Sequence, residues 1–187
     1  MEKIVNNKYL LQIHPIPGNG NCLFSSLVHQ ITALPQSHEL HQEAVRIMRH
    51  ESVNRLLSSI DSYRNLILTE ALEKGQAWPV DSDGNTHDRI ILKHLEELRK
   101  NGTWAGAEII AAVRDMLGVT IKVLSNQFTP LVFEGTNDTI LNIFYNGTNH
   151  YDSVVSVREI IADEFRTGNF SNFICLSSQI YAICMCS

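Results

Sequence analysis

Apolar residues recur at helical spacing through the first part of the chain and at alternate positions through much of the remainder. Tyr9 to Ile13 reads as a short extended lead-in, stopped by Pro15 and Pro17, and a helix is predicted from Leu23 to Ile31. Ser37 stands where an N-cap belongs, ahead of a helix through Val45 and Met48. Val53, Leu56, Ile60, Ile67 and Ala71 mark one or two more amphipathic helices between Glu51 and Gly75. Further helices are expected over Asp88 to Lys100, closed by Asn101-Gly102, and over Ala107 to Leu117, closed by Gly118. Val119 to Leu124, Leu131 to Phe133, Ile140 to Tyr145 and Tyr151 to Val157 read as strands, and Arg158 to Phe165 as one more helix. Helices and strands are thus segregated, with hairpin-length turns between the late strands, which predicts an α+β fold.

The 187 residues suffice for one domain with a substantial core and are too few for two ordinary ones, so a single domain over 1–187 is expected. A net charge of −5 leaves no basic footprint for nucleic acid, and no apolar run reaches the ~18 residues of a membrane helix. The first residues lack the apolar stretch of a secretory signal, which points to the cytoplasm, or to a host cytosol if the protein is an effector. Cys22, Cys175, Cys184 and Cys186 are too scattered for a disulfide framework, lack zinc spacing, and suit a reducing compartment. Asp81-Ser82-Asp83-Gly84-Asn85 has only part of a calcium-loop pattern and no H-E-x-x-H occurs, so neither metal nor organic cofactor is expected. His29, His38, His41 and His50 read as surface or capping residues, and Asn146 begins one of four N-x-[ST] sequons. The apolar, cysteine-containing tail within 158–187 calls for burial, as an added strand, a partner site or an oligomer contact.

Two stretches carry candidate chemistry. In Ile16-Pro17-Gly18-Asn19-Gly20-Asn21-Cys22-Leu23-Phe24 a glycine-rich turn delivers one thiol to the start of a helix, where unpaired N–H groups and the dipole favour an anion. The same stretch also fits a helix-capping loop whose cysteine is merely buried. Far downstream, Asn149-His150-Tyr151-Asp152 sits at a turn between two strands, and alternation puts His150 and Asp152 on one face. That is the arrangement of a base and the carboxylate that orients it, although a lone histidine in a strand is more often a hydrogen-bonded residue without chemistry. His14 is a weaker candidate for a second base.

Taken in order, N-G-N-C-L-F at Asn19 to Phe24, W-A-G-A-E-I at Trp104 to Ile109 and N-H-Y-D at Asn149 to Asp152 resemble the three signature blocks of the ovarian-tumour-domain (OTU) cysteine proteases, a family of deubiquitinases. The resemblance spans about 13–157. It implies a papain-like fold, a central, mostly antiparallel sheet flanked by helices, with Cys22 as nucleophile, His150 as general base and Asp152 as third member. One departure is Asn19, where the family usually has aspartate; its amide remains able to hydrogen-bond an oxyanion. Gly20, Asn21, Trp104, Gly106, Asn149 and Tyr151 become candidate substrate contacts, with Trp104 and Gly106 as a wall for an extended peptide ending in glycine. The function implied is cleavage after the C-terminal glycine of ubiquitin, polyubiquitin or a ubiquitin-like modifier. Two alternatives remain: a catalytically silent ubiquitin-binding module, and a thiol hydrolase or transferase on another substrate.

Overall fold

The computed structural model describes residues 2–6, 9–32, 37–75 and 86–159. Two strands, β1 (Glu2–Asn6) and β2 (Tyr9–His14), precede the helices α1 (Cys22–Ile31), α2 (His38–Ser58), α3 (Ile60–Glu73), α4 (Thr86–Arg99) and α5 (Ala107–Leu117). Four strands follow: β3 (Thr120–Leu124), β4 (Leu131–Phe133), β5 (Ile140–Tyr145) and β6 (Tyr151–Glu159). Ser37 caps α2 by accepting the Leu40 N–H at 3.3 Å. The helix then runs on to Ser58, and the non-helical Ser59 (φ −137°) separates it from α3. Gly118, at φ 68°, closes α5 by donating its N–H to Arg114 O at 2.8 Å, the left-handed stop that glycine supplies without a Cβ penalty.

The strands form one sheet in the order β1-β2-β6-β5-β3-β4, antiparallel throughout except for the parallel pair β3 and β5. This is the α+β arrangement of a mostly antiparallel sheet with helices. Strand β1 has no counterpart among the elements expected from sequence. Arg158 and Glu159 extend β6 instead of opening a helix, because β2 offers them partners: Leu10 opposes Arg158 and Tyr9 opposes Glu159. The expected connector at 33–36, the acidic tip at 81–85, the rest of the expected helix and the cysteine-containing tail lie outside the described residues.

The main core joins one face of the sheet (Ile121, Val123, Leu141, Ile143) to α1 (Leu23, Phe24, Leu27) and the apolar faces of the other helices. Leu124, Phe144, Leu11, Ile13 and Val154 form a smaller cluster, and strand alternation puts Leu124 and Phe144 on the opposite sheet face from Val123 and Ile143. The pairing of β2 with β6 matters most for the site. It is antiparallel, with His14 opposite Ser153, so the chain leaving β2 toward Cys22 emerges where β6 begins, beside His150 and Asp152.

Candidate active site

The loop from Pro15 to Asn21 is fastened to the start of β6. Asp152 Oδ1 accepts the Ile16 N–H at 2.8 Å and lies 3.0 Å from His150 Nε2, so one carboxylate oxygen holds both the cysteine loop's lead-in and the imidazole. With Nε2 engaged, Nδ1 is the ring nitrogen left for chemistry. It faces the loop: the Cβ position of Gly18 is 3.7 Å from His150 Nδ1. The side chains of His150 and Asp152 are 21% and 19% exposed, a partly dry pair still reachable from solvent.

Helix α1 is clamped along β6 by its own polar residues. Ser26 Oγ lies 2.7 Å from Cys22 O and 3.1 Å from Tyr151 O, and its single proton serves one of them at a time. His29 Nδ1 is 2.8 Å from Ser153 Oγ, and Gln30 reaches Val154 O at 3.0 Å and the Asn142 N–H at 2.8 Å. Cys22 sits four residues before Ser26, about 6 Å back along the axis, and therefore at the end of β6 from which His150 projects. The sulfur belongs to a residue only 6% exposed, at the first position of the helix, where N–H groups lack intrahelical acceptors. His29 is thus a half-buried clamp, not a surface residue; burial and the His14 ring push its pKa down. His14 stacks on it with centroids 4.0 Å apart.

The remaining candidates fall into two groups. Asn19, Gly20 and Asn21 build the loop itself. Asn19 Oδ1 accepts the Asn21 N–H at 3.1 Å, so that N–H is already engaged. Gly20 has φ 77° and packs against the backbone of Gly102 so closely that a Cβ would fall 2.9 Å from Gly102 Cα and nearer still to its carbonyl. The side chain of Asn21 turns inward: Oδ1 accepts from Gly102 N at 3.2 Å and from Arg49, and Nδ2 donates to Asn101 Oδ1 at 2.9 Å. Trp104, Asn149 and Tyr151 stand on neighbouring segments, Trp104 following Thr103 and the other two flanking His150. Trp104 is 54% exposed and Asn149 is exposed, whereas the Tyr151 ring packs on Tyr145 with centroids 4.8 Å apart. Burial pushes the Tyr151 hydroxyl upward, with charges at Tyr145, Glu70, Glu108 and Cys22 adding to the effect. Gly106 is buried, and the space its missing Cβ leaves is occupied by the Glu70 carboxylate, which accepts the Ala107 N–H at 2.9 Å.

Several positioning residues were not singled out from sequence. Arg49 is 2% exposed and bonds Gly20, Asn21, Leu98 and Thr103. Its spacing four residues from both Val45 and Val53 places it on the apolar face of α2, a signal visible in the sequence. Asn146 Oδ1 collects the N–H groups of Thr148, Asn149 and His150 at 3.0, 3.1 and 3.1 Å, fixing the turn that presents His150. Glu108 and His94 form a buried pair with Nε2 to Oε1 at 3.3 Å, and Lys74 reaches the same oxygen at 3.4 Å. Burial opposes ionisation of Glu108, yet His94 and Lys74 hold its pKa below the ordinary value. Burial and that neighbouring carboxylate raise Glu70 to about 7. Among the described residues no group of three or more His, Cys, Asp and Glu is arranged to hold a metal.

Comparison with known proteins identifies the family and the fold. A family model described as OTU-like cysteine protease matches residues 17–154. The chain is 27% identical over 118 residues to the ubiquitin thioesterase otu2 of Schizosaccharomyces pombe, covering 63% of this chain and 34% of that protein. The chain spans about a third of the length of the curated relatives it matches. Among solved structures, the OTU domain of OTUD1 superposes with a TM-score of 0.54 at 17% identity, covering 78% of this chain and 85% of that one. An ovarian tumour (OTU) domain in complex with ubiquitin gives 0.50 at 21% identity, covering 81% and 76%.

Proposed function

Because the chain belongs to the OTU-like cysteine proteases, we propose that it is a deubiquitinase that hydrolyses the bond after the C-terminal glycine of ubiquitin or a ubiquitin-like modifier, with Cys22, His150 and Asp152 as its triad. Resemblance to a ubiquitin thioesterase and to an OTU domain in complex with ubiquitin supports the substrate class. The observation that carries the chemistry is the single oxygen, Asp152 Oδ1, that binds both His150 Nε2 and the Ile16 N–H, leaving His150 Nδ1 toward the loop that ends in Cys22.

In this reading His150 Nδ1 takes the Cys22 proton, and the thiolate attacks the glycine carbonyl. Asp152 keeps the proton on Nε2 and stabilises the imidazolium. The tetrahedral oxyanion finds donors at the N-terminus of α1, with the Cys22 N–H foremost, because the Asn21 N–H is committed to Asn19. His150 then protonates the departing lysine amine, and water, deprotonated by the same imidazole, cleaves the thioester. The departure at Asn19 is the feature that would favour a catalytically silent module. Asn19 Oδ1 here accepts a backbone N–H, a bond open to asparagine as well as to aspartate. Cys22→Ala should abolish cleavage of di-ubiquitin while leaving binding nearly intact, since sulfur contributes little to ground-state contact; turnover by that variant would reject Cys22 as nucleophile.

A further inference from the structure

We propose that Arg49 is a positioning residue for the nucleophile: a fixed positive charge beneath Cys22 whose fork of donors sets the cysteine loop against the loop that carries Trp104. The guanidinium lies inside the protein and every bond it makes goes to a neutral oxygen. Nη1 donates to Leu98 O at 2.7 Å, and Nη2 to Asn21 Oδ1 at 2.6 Å, Thr103 O at 3.0 Å and Gly20 O at 3.2 Å. Its carbon stands 4.2 Å over the centre of the Phe24 ring, and Nε is buried without a partner. Among the described residues no carboxylate pairs with it. A buried cation without a counter-charge is costly, and burial accordingly lowers Arg49 to about 10, with a thiolate at Cys22 acting in the opposite direction. With Cys22 as the nucleophile of the reading above, the missing counter-charge is the thiolate itself.

The same side chain sets geometry. Holding the Gly20 carbonyl inward turns the Asn21 N–H of the same peptide unit the other way, as a trans peptide requires, and that N–H meets Asn19. The bonds to Leu98 and Thr103 pin both ends of the 98–103 turn, so nucleophile loop and substrate-side loop share one anchor.

The test compares alkylation of Cys22, followed peptide by peptide in the mass spectrometer, by iodoacetate and by neutral iodoacetamide. The ratio of the two rates cancels the thiolate fraction and reports the charge around the sulfur. Arg49→Met should lower that ratio about fivefold or more, Arg49→Lys should restore most of it, and kcat for ubiquitin cleavage should fall in Arg49→Met with KM within about twofold. If Arg49→Met does not fold, His150→Ala serves: with no imidazolium left, its ratio should stay above that of free glutathione. A ratio unchanged by Arg49→Met, or equal to glutathione in His150→Ala, overturns the role of Arg49. Because alkylation needs no protein substrate, a raised ratio in a protein inert toward ubiquitin would reject the proposed substrate while leaving Arg49 in place.

Discussion

Gly20 and Gly102 face each other across the site, and alanine at either one separates conformational cost from steric cost. Both have left-handed φ, 77° and 81°, so either substitution carries roughly 1–2 kcal/mol of backbone strain. Their surroundings differ. A Cβ on Gly102 meets only Asn19 O at 3.5 Å, an ordinary contact. One on Gly20 meets Gly102 Cα at 2.9 Å and its carbonyl carbon at 2.5 Å, whereas carbon atoms rest about 3.5–4.0 Å apart. Because the obstacle is backbone, the two loops must part by an ångström or so. That movement strains the Asn21 Oδ1 bond from Gly102 N and the Arg49 bonds to Gly20 O and Thr103 O, each a net contribution of about 0.5–1.5 kcal/mol or more. Gly102→Ala should therefore lose about 1–2 kcal/mol in urea unfolding, and Gly20→Ala about 3–5 kcal/mol, with slowed alkylation of Cys22 in the surviving native fraction. Equal losses for the two variants would refute the assignment of loop-to-loop contact at Gly20.

Asp152→Asn keeps an acceptor for Ile16 while losing the charge that supports an imidazolium, so it should lower kcat with stability within about 1 kcal/mol of wild type; Asp152→Ala should lower both, by about 1–3 kcal/mol in stability. Thermal unfolding beside ubiquitin hydrolysis distinguishes them, and an Asp152→Ala protein as stable as Asp152→Asn would remove Asp152 as the loop's anchor. Glu70, raised to about 7 by burial and Glu108, binds a proton more tightly folded than unfolded. Its contribution is therefore fully present below pH ~4.5 and lost as pH rises through about 7. Relative to Glu70→Gln, the wild type should lose about 1–2 kcal/mol between pH 5 and 8 in urea titrations, a figure discounted for the carboxylate's remaining contact with water; parallel curves would place the Glu70 carboxyl at its ordinary value.

Much of this arrangement was legible in the sequence because it is written in local terms. The expected bounds of α5 coincide with those found, since a segment with seven good helix formers among its eleven residues ends at a glycine that adopts left-handed φ. The loop before Cys22 and the turn before His150 were visible as glycine and asparagine clusters. Strand β1 was missed because its few residues, Lys3-Ile4-Val5 among them, form a strand only by pairing with Tyr9–His14. The helix expected to start at Arg158 gives way for the same reason: the segment after Val157 satisfies its backbone on β2, a partner roughly 150 positions away, about which no local pattern speaks. Arg49 was only partly legible: its spacing from Val45 and Val53 puts it on the apolar face of α2, but its role does not show there. Cations on helices are normally solvated, and only the folded loops reveal the oxygens that make its burial tolerable.

The central claim of the proposed function is that Cys22 is a nucleophile activated by His150 and that this site accepts the C-terminus of a ubiquitin-type modifier. Ubiquitin carrying an electrophile in place of its C-terminal carboxylate reads all of this at once through intact mass. A single adduct on Cys22, lost in Cys22→Ala and strongly slowed in His150→Ala, is the result the structure leads us to expect. Full alkylation of Cys22 by iodoacetamide with no adduct from ubiquitin or ubiquitin-like probes would contradict it.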